Sequence, residues 1–175
     1  MSTTDSLQRY IDGQTIQVVG FRLGGEEFAV PILTVREIDH VPQVTRVPES
    51  PHFVEGITNL RGRVVPVINT AVRFGVSLAE EVSSEARRIV VIDLGATPAA
   101  FIVDEVTQIR RIEAACISPP PNARGAADDF IAGIAKLESH LVILLDPSRM
   151  VDADELPGGE AAADETADQQ VAAAA

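Results

Sequence analysis

The apolar side chains of this 175-residue chain come in about ten short runs rich in Val, Ile and Leu, each ended by Gly, Pro or a small polar cluster. That spacing leaves no room for long helices. β-Branched side chains are stiff at χ1 and pack well on a pleated surface, so such runs favour strands. Val19, Phe21 and Leu23 alternate with polar or small residues up to Gly24-Gly25, and Phe28 and Val30 alternate beyond it, the pattern of a hairpin. Residues 43–47, 57–60, 64–68, 88–94, 99–106, 108–112, 131–137 and 141–145 read as further strands, with turns at Gly95-Ala96-Thr97-Pro98 and Glu138-Ser139-His140. Between them Pro31 opens a stretch with Ile32, Val35 and Ile38 at three-residue spacing, which predicts one or two helical turns. With no helical crossovers to join parallel strands, the expectation is an all-β barrel or sandwich with short helical segments. Residues 82–87 and 118–129 read as exposed loops, and no internal repeat is found.

Composition sets the boundaries of that domain. Aromatics are only 4% of the chain and Trp is absent, so a core drawn from the 46% apolar residues rests on aliphatic side chains. The net charge is −12, but seven of the 26 acids and none of the 14 bases lie in residues 152–175. That Ala-, Asp- and Glu-rich tail lacks the large apolar side chains needed to repay the entropy of ordering, and it reads as disordered. Residues 1–14 read as a flexible leader and 15–151 as a single globular domain. A field of Lys and Arg suited to nucleic acid is absent, as is any apolar run long enough to insert into a membrane. One cysteine allows no internal disulfide, and a reducing cytoplasm is the expected setting.

Catalytic signatures are missing. There is no phosphate-binding Gly-rich loop with Lys-Ser/Thr, no His-Glu-x-x-His, no Cys-x-x-Cys and no Gly-x-Ser-x-Gly. His40, His52 and His140 are far apart and lie beside loop residues, so solvent-facing histidines are expected rather than metal ligands or general bases. Asp104-Glu105 is an acid pair, but neighbours on a strand point to opposite faces and cannot flank one substrate. Cys116 has no local base and reads as a small semi-buried residue. No enzyme activity, metal or cofactor is expected.

Arg61-Gly62 closes a hairpin between two apolar runs and puts a long cation on display. It is either an ordinary surface arginine, worth roughly 0 to 1 kcal/mol through exposed ion pairs, or a partner anchor. Around it lie Phe-Arg-Leu-Gly-Gly-Glu-Glu-Phe-Ala-Val from Phe21, Val-Arg-Glu-Ile from Val35, Gly-Ile-Thr-Asn-Leu-Arg-Gly-Arg-Val-Val-Pro-Val-Ile-Asn from Gly56, Phe-Ile-Val-Asp-Glu-Val from Phe101, and Ile-Ala-Gly-Ile-Ala-Lys-Leu from Ile131 followed by Leu-Val-Ile-Leu-Leu-Asp. In order and spacing these segments, from about Gln17 to Val151, resemble the CheW family of chemotaxis coupling proteins. Asn69-Thr70 stands where the family often has Asp-Leu, and Ala132 at a position often more polar.

The resemblance implies two small, intertwined five-stranded SH3-like barrels on a common apolar core, without catalysis. It implies a cytoplasmic adaptor, associated with membrane receptor arrays through its partners. Those partners are the cytoplasmic signalling tips of chemoreceptors and the regulatory domain of the histidine kinase CheA. The same role in a non-flagellar pathway, with pili or a second messenger as output, is the alternative. By matched motif, Arg61 with Asn59 and Leu60, Val35 and Glu37, and Val44 and Gly56 belong to binding surfaces, and Val106 and Ile109 to a groove between the barrels that accepts a receptor helix. For the valines and Ile109 a place in the core is the competing reading.

Overall fold

The computed structural model describes residues 3–95, 97–121 and 129–157. The expected loop at 118–129 lies mostly outside the described residues, and so does the tail beyond Pro157. The strands are β1 (Ile11–Asp12), β2 (Thr15–Leu23), β3 (Glu26–Pro31), β4 (Val35–His40), β5 (Val54–Leu60), β6 (Arg63–Asn69), β7 (Arg88–Asp93), β8 (Pro98–Val103), β9 (Glu105–Glu113), β10 (Ile117–Ser118), β11 (Ile131–Lys136) and β12 (Leu141–Leu145). Two short helices, α1 (Thr70–Phe74) and α2 (Pro147–Met150), follow β6 and β12. Each starts at a side-chain cap: Asn69 Oδ1 accepts from the Val72 amide, and Asp146 Oδ1 from the Ser148 amide.

The strands form two sheets, and each bends round to meet itself. In the first the order is β9-β2-β3-β12-β11-β10, with β1 on the far end of β2. β9 and β10 are one stretch of chain broken by the single turn Ala114–Cys116, so the same stretch closes both ends. In the second the order is β4-β7-β8-β6-β5, and the segment after β4 closes it through a bridge from Thr45 to Ile57 of β5. Closure leaves few strand edges for other chains to pair with.

Both sheets are built from the same parts. Val106 of β9 pairs with Phe21 and Phe21 with Phe28, as Val35 of β4 pairs with Ile92 and Ile92 with Ala99. β12 runs parallel to β3 as β6 runs parallel to β8. The Asn69 amide donates to the Phe53 carbonyl at 2.7 Å, and the Asp146 amide to that of Phe130 at 2.8 Å. An internal repeat is therefore present, contrary to the sequence expectation: Val35-Arg-Glu-Ile matches Val106-Thr-Gln-Ile, and Phe53-Val-Glu-Gly-Ile-Thr-Asn-Leu matches Phe130-Ile-Ala-Gly-Ile-Ala-Lys-Leu. It escapes a sequence scan because the longer connection into β11 changes the offset part-way, from 71 residues to 77. The two copies also exchange hairpins. The β2-β3 hairpin of the first copy completes the barrel of β9 to β12, while β7-β8 of the second completes that of β4 to β6.

All six phenylalanines lie at the seam between the barrels. Phe21, Phe28, Phe74 and Phe130 form a chain of ring contacts with centroids 5.9, 5.3 and 4.5 Å apart. Arg73 of α1 lies over the rings of Phe53 and Phe130 and donates to the Met150 carbonyl, tying α1 to the end of α2. Each barrel also has a smaller aliphatic core of its own, around Ile16, Val18, Ile112 and Leu144 in one and Val67, Ile89 and Val91 in the other.

Several expectations are corrected. Val35–His40 is a strand, and only Ile32–Thr34 makes a helical turn. A bulge gives β4 one extra residue between Val35 and Glu37, so Val35 and Ile38 stand three apart and imitate helical spacing. Residues 43–47 contribute only the Thr45 bridge, since Pro42 and Pro48 at their flanks have no amide to donate. The expected strand at 99–106 breaks at Asp104, where the chain crosses from one barrel to the other. The leader is not free: Thr3–Tyr10 forms a 3₁₀ helix and Leu7, 1% exposed, packs into the core of the first barrel. The domain also runs past Val151, because Leu156 is buried in the shared core. Leu156→Ala should therefore cost about 2 kcal/mol, lowering the thermal midpoint by roughly 4 to 8 °C. A melt indistinguishable from the parent would remove residues 152–157 from the fold.

Candidate functional site

The β5-β6 turn carries positive φ at both central residues, 53° at Arg61 and 85° at Gly62, the geometry whose twist matches a two-residue hairpin. Gly supplies this freely, whereas an arginine there costs roughly 1 to 2 kcal/mol. The Gly62 amide donates to Asn59 Oδ1 at 2.9 Å and fixes the turn. Arg61 projects outward with its side chain 82% exposed and its Nε 3.7 Å from Glu37 Oε2. Barrel closure thus joins two charges that are 24 residues apart in sequence. An exposed pair at that distance contributes at most about 1 kcal/mol to folding, so stability does not account for a strained arginine at this position.

The other candidates divide by depth. Asn59 is exposed on the same turn. Leu60 and Val44 are half-buried against the core of the second barrel, and Val35 is half-buried against the shared core. Gly56 is buried at φ 151°, and a Cβ there would collide with the Thr45 carbonyl and stand 2.9 Å from Val44 Cγ1. Its glycine lets the 41–47 segment close on β5 and so shapes the face. Val106 lies apart from this group, half-buried on the wall of a cleft of about 550 Å³ between the barrels that Ile38 also lines. Ile109 is outside that cleft and 57% exposed.

Sequence reasoning missed the exposed apolar residues near these charges. Ile38 adjoins Glu37, and Val64 follows the Arg61 turn. Their counterparts in the other copy of the repeat, Ile109 and Leu141, are exposed as well. The repeated Val-x-Glu/Gln-Ile motif is the signal that could have found them, since each copy turns its Ile outward just beyond the bulge.

One titratable group departs from expectation. His140 is not simply solvent-facing: its Nε2 stands 2.7 Å from Glu27 Oε2, and the same carboxylate faces Thr107 Oγ1 at 3.0 Å and Arg110 Nη2 at 3.3 Å. Burial pushes the Glu27 carboxyl up, but the Thr107 hydroxyl, Arg110 and His140 outweigh it and hold the group below its ordinary value. Asp104 and Glu105 separate as expected, but the inner one is fully partnered. Asp104 is 2% exposed and accepts from Arg87 Nε and from the amides of Gly24 and Ala79, while Glu105 is exposed. Cys116 is semi-buried, as expected. Among the described residues no group of three or more His, Cys, Asp or Glu is arranged to hold a metal, and no helix is long and apolar enough to cross a membrane.

Residues 17–155 match the CheW-like domain family. The chain is 36% identical to a chemotaxis protein CheW of Helicobacter pylori over 132 residues, covering 75% of this chain and 79% of that protein. It is 32% identical to a chemotaxis protein CheW of Klebsiella aerogenes over 160 residues, covering 89% and 92%. The crystal structure of a scaffolding protein, TtCheW from Thermoanaerobacter tengcongensis, superposes with a TM-score of 0.68 at 34% identity, covering 74% of this chain and 88% of that one.

Two outcomes follow from the site geometry. Gly56→Ala should destabilise the fold by about 2 kcal/mol or more, through the Thr45 carbonyl and the positive φ, and so disturb the Arg61 face from beneath; chemical denaturation checks this. The depressed Glu27 carboxyl adds stability above its unfolded pKa, and that stability is lost as the pH falls through the folded one. Glu27→Gln should therefore show a shallower decline in melting temperature than the parent from about pH 6 to about pH 3.

Proposed function

The chain belongs to the CheW-like domain family of chemotaxis scaffold proteins, and on that footing we propose that it is a non-enzymatic adaptor coupling the cytoplasmic signalling tips of chemoreceptors to the histidine kinase CheA. The observation that carries this reading is the Glu37–Arg61 pair. It sits on a rigid turn at the price of backbone strain, with Ile38 and Val64 exposed beside it, and it returns little to the fold. A central arginine ringed by small apolar contacts is the usual make-up of an interface anchor. We assign this face, with Asn59 at its rim and Val35, Val44, Leu60 and Gly56 supporting it, to the kinase's regulatory domain. The cleft with Val106 and Ile38 on its walls suits the apolar ridge of a receptor helix, which a groove between packed elements accepts without refolding.

Arg61→Glu places like charges beside each other at Glu37 and leaves the shared core untouched. Its melting temperature should stay within a few degrees of the parent, while association with the CheA regulatory domain should weaken by about 2 kcal/mol, roughly thirtyfold. Titration calorimetry measures the affinity, and reconstituted receptor tips with CheA give kinase activation as a second readout. A folded Arg61→Glu protein that binds and activates like the parent would sink the assignment of this face.

A further inference from the structure

We propose that the Arg87–Asp104 ion pair is a positioning device for the interbarrel cleft: it holds residues 79–87 in place as one of its walls, and affinity for a helix in the cleft depends on it. This rests on the receptor reading of the cleft given above. Asp104 lies where the chain crosses between the barrels. Its Oδ1 accepts from Arg87 Nε at 3.1 Å, and its Oδ2 from the amides of Gly24 at 2.9 Å and Ala79 at 3.1 Å. Arg87 Nη2 also donates to the Ala79 carbonyl at 3.2 Å, so the guanidinium clasps both ends of the loop. One buried carboxylate thus gathers the β2-β3 turn of one barrel and the α1-β7 connection of the other.

Little else holds the first part of the loop. Val76 and Leu78 pack on the shared core and Arg88 Nη1 of β7 donates to the Glu85 and Ala86 carbonyls at the far end, but the other hydrogen bonds of 79–86 run within the loop, from the Val82 amide to the Ala79 carbonyl and from the Ala86 amide to Ser83. Yet Glu81, Val82, Ser83 and Ala86 are cleft-lining residues, standing with Ile38 and Val106. A short irregular segment with few buried contacts opens locally unless it is pinned. A buried ion pair is a poor way to gain stability alone, since apolar residues would fill the space as well, whereas fixing one geometry suits it. The lining also carries the carboxylates of Glu81 and Glu105 and the guanidinium of Arg88, groups that can pair with charged side chains flanking the apolar ridge of a helix.

The test uses Arg87→Met in the full chain, which leaves the Asp104 carboxylate its two backbone donors, with Arg87→Lys as the conservative partner. Amide hydrogen exchange should quicken at least about tenfold across 79–86 in Arg87→Met. Binding to a soluble cytoplasmic signalling fragment of a chemoreceptor should weaken about tenfold, while binding to the CheA regulatory domain stays at the parent value. Arg87→Lys should recover most of both losses, which simple destabilisation of the barrels would not predict. Unchanged exchange in Arg87→Met, or faster exchange with undiminished receptor binding, overturns the proposal, as does an equal loss of receptor and kinase binding. A parent protein that ignores the receptor fragment overturns the receptor reading instead, and the exchange measurement then still decides whether the pair pins the loop.

Discussion

The exchange of hairpins between the two barrels is the constraint from which the rest of the molecule follows. Because β2-β3 completes one barrel and β7-β8 the other, neither sheet closes without strands from both copies of the repeat. The six phenylalanines fill the seam this creates, so six of the seven aromatic residues of an aliphatic-rich chain stand where the two halves meet. Burying that many rings at one junction stabilises it by several kcal/mol and makes the pair of barrels one rigid body. Leu156, buried in the shared core, and Arg73, lying over the rings of Phe53 and Phe130, reinforce the same junction.

Rigidity at the seam fixes where the surface charge pair and the open cleft stand relative to each other. The bulge in β4 leaves Ile38 exposed, and closure by the 41–47 segment brings the β5-β6 turn within reach of Glu37. The equivalent strand β9 carries Val106 to the cleft wall. One repeated backbone device thus serves two ends, a polar face on the second barrel and an apolar wall at the junction. Gly56 and Asp104 act beneath these surfaces, the first by allowing a close approach and the second by gathering loops.

The repeat also shows how the faces differ. By register Glu138 stands where Arg61 does, and Gln108 where Glu37 does, so the two barrels carry different charge at equivalent positions, and Arg61 has the positive φ that Glu138 lacks. A partner matched to the Arg61 turn meets a carboxylate at the corresponding position of the other barrel. Charge at equivalent sites therefore gives the molecule two distinguishable ends despite its internal symmetry.

The sequence alone was enough for the strand class, the turn at Arg61 and the family, because these depend on local chemistry: β-branched runs, Gly at positive φ and short motifs in a fixed order. It misread Val35–His40 as helical because one bulged residue shifts a period of two into an apparent period of three. It missed Leu156 because a single leucine is diluted in the composition of an acidic segment, and the repeat because two offsets hide it. Above all it offered no means of pairing Arg61 with Glu37, of placing Val106 and Ile38 in one cleft, or of seeing that Asp104 holds Arg87. Those neighbours are far apart along the chain, and only closure of two interleaved barrels brings them together, since sheet register and hairpin exchange are set by how all the strands pack at once.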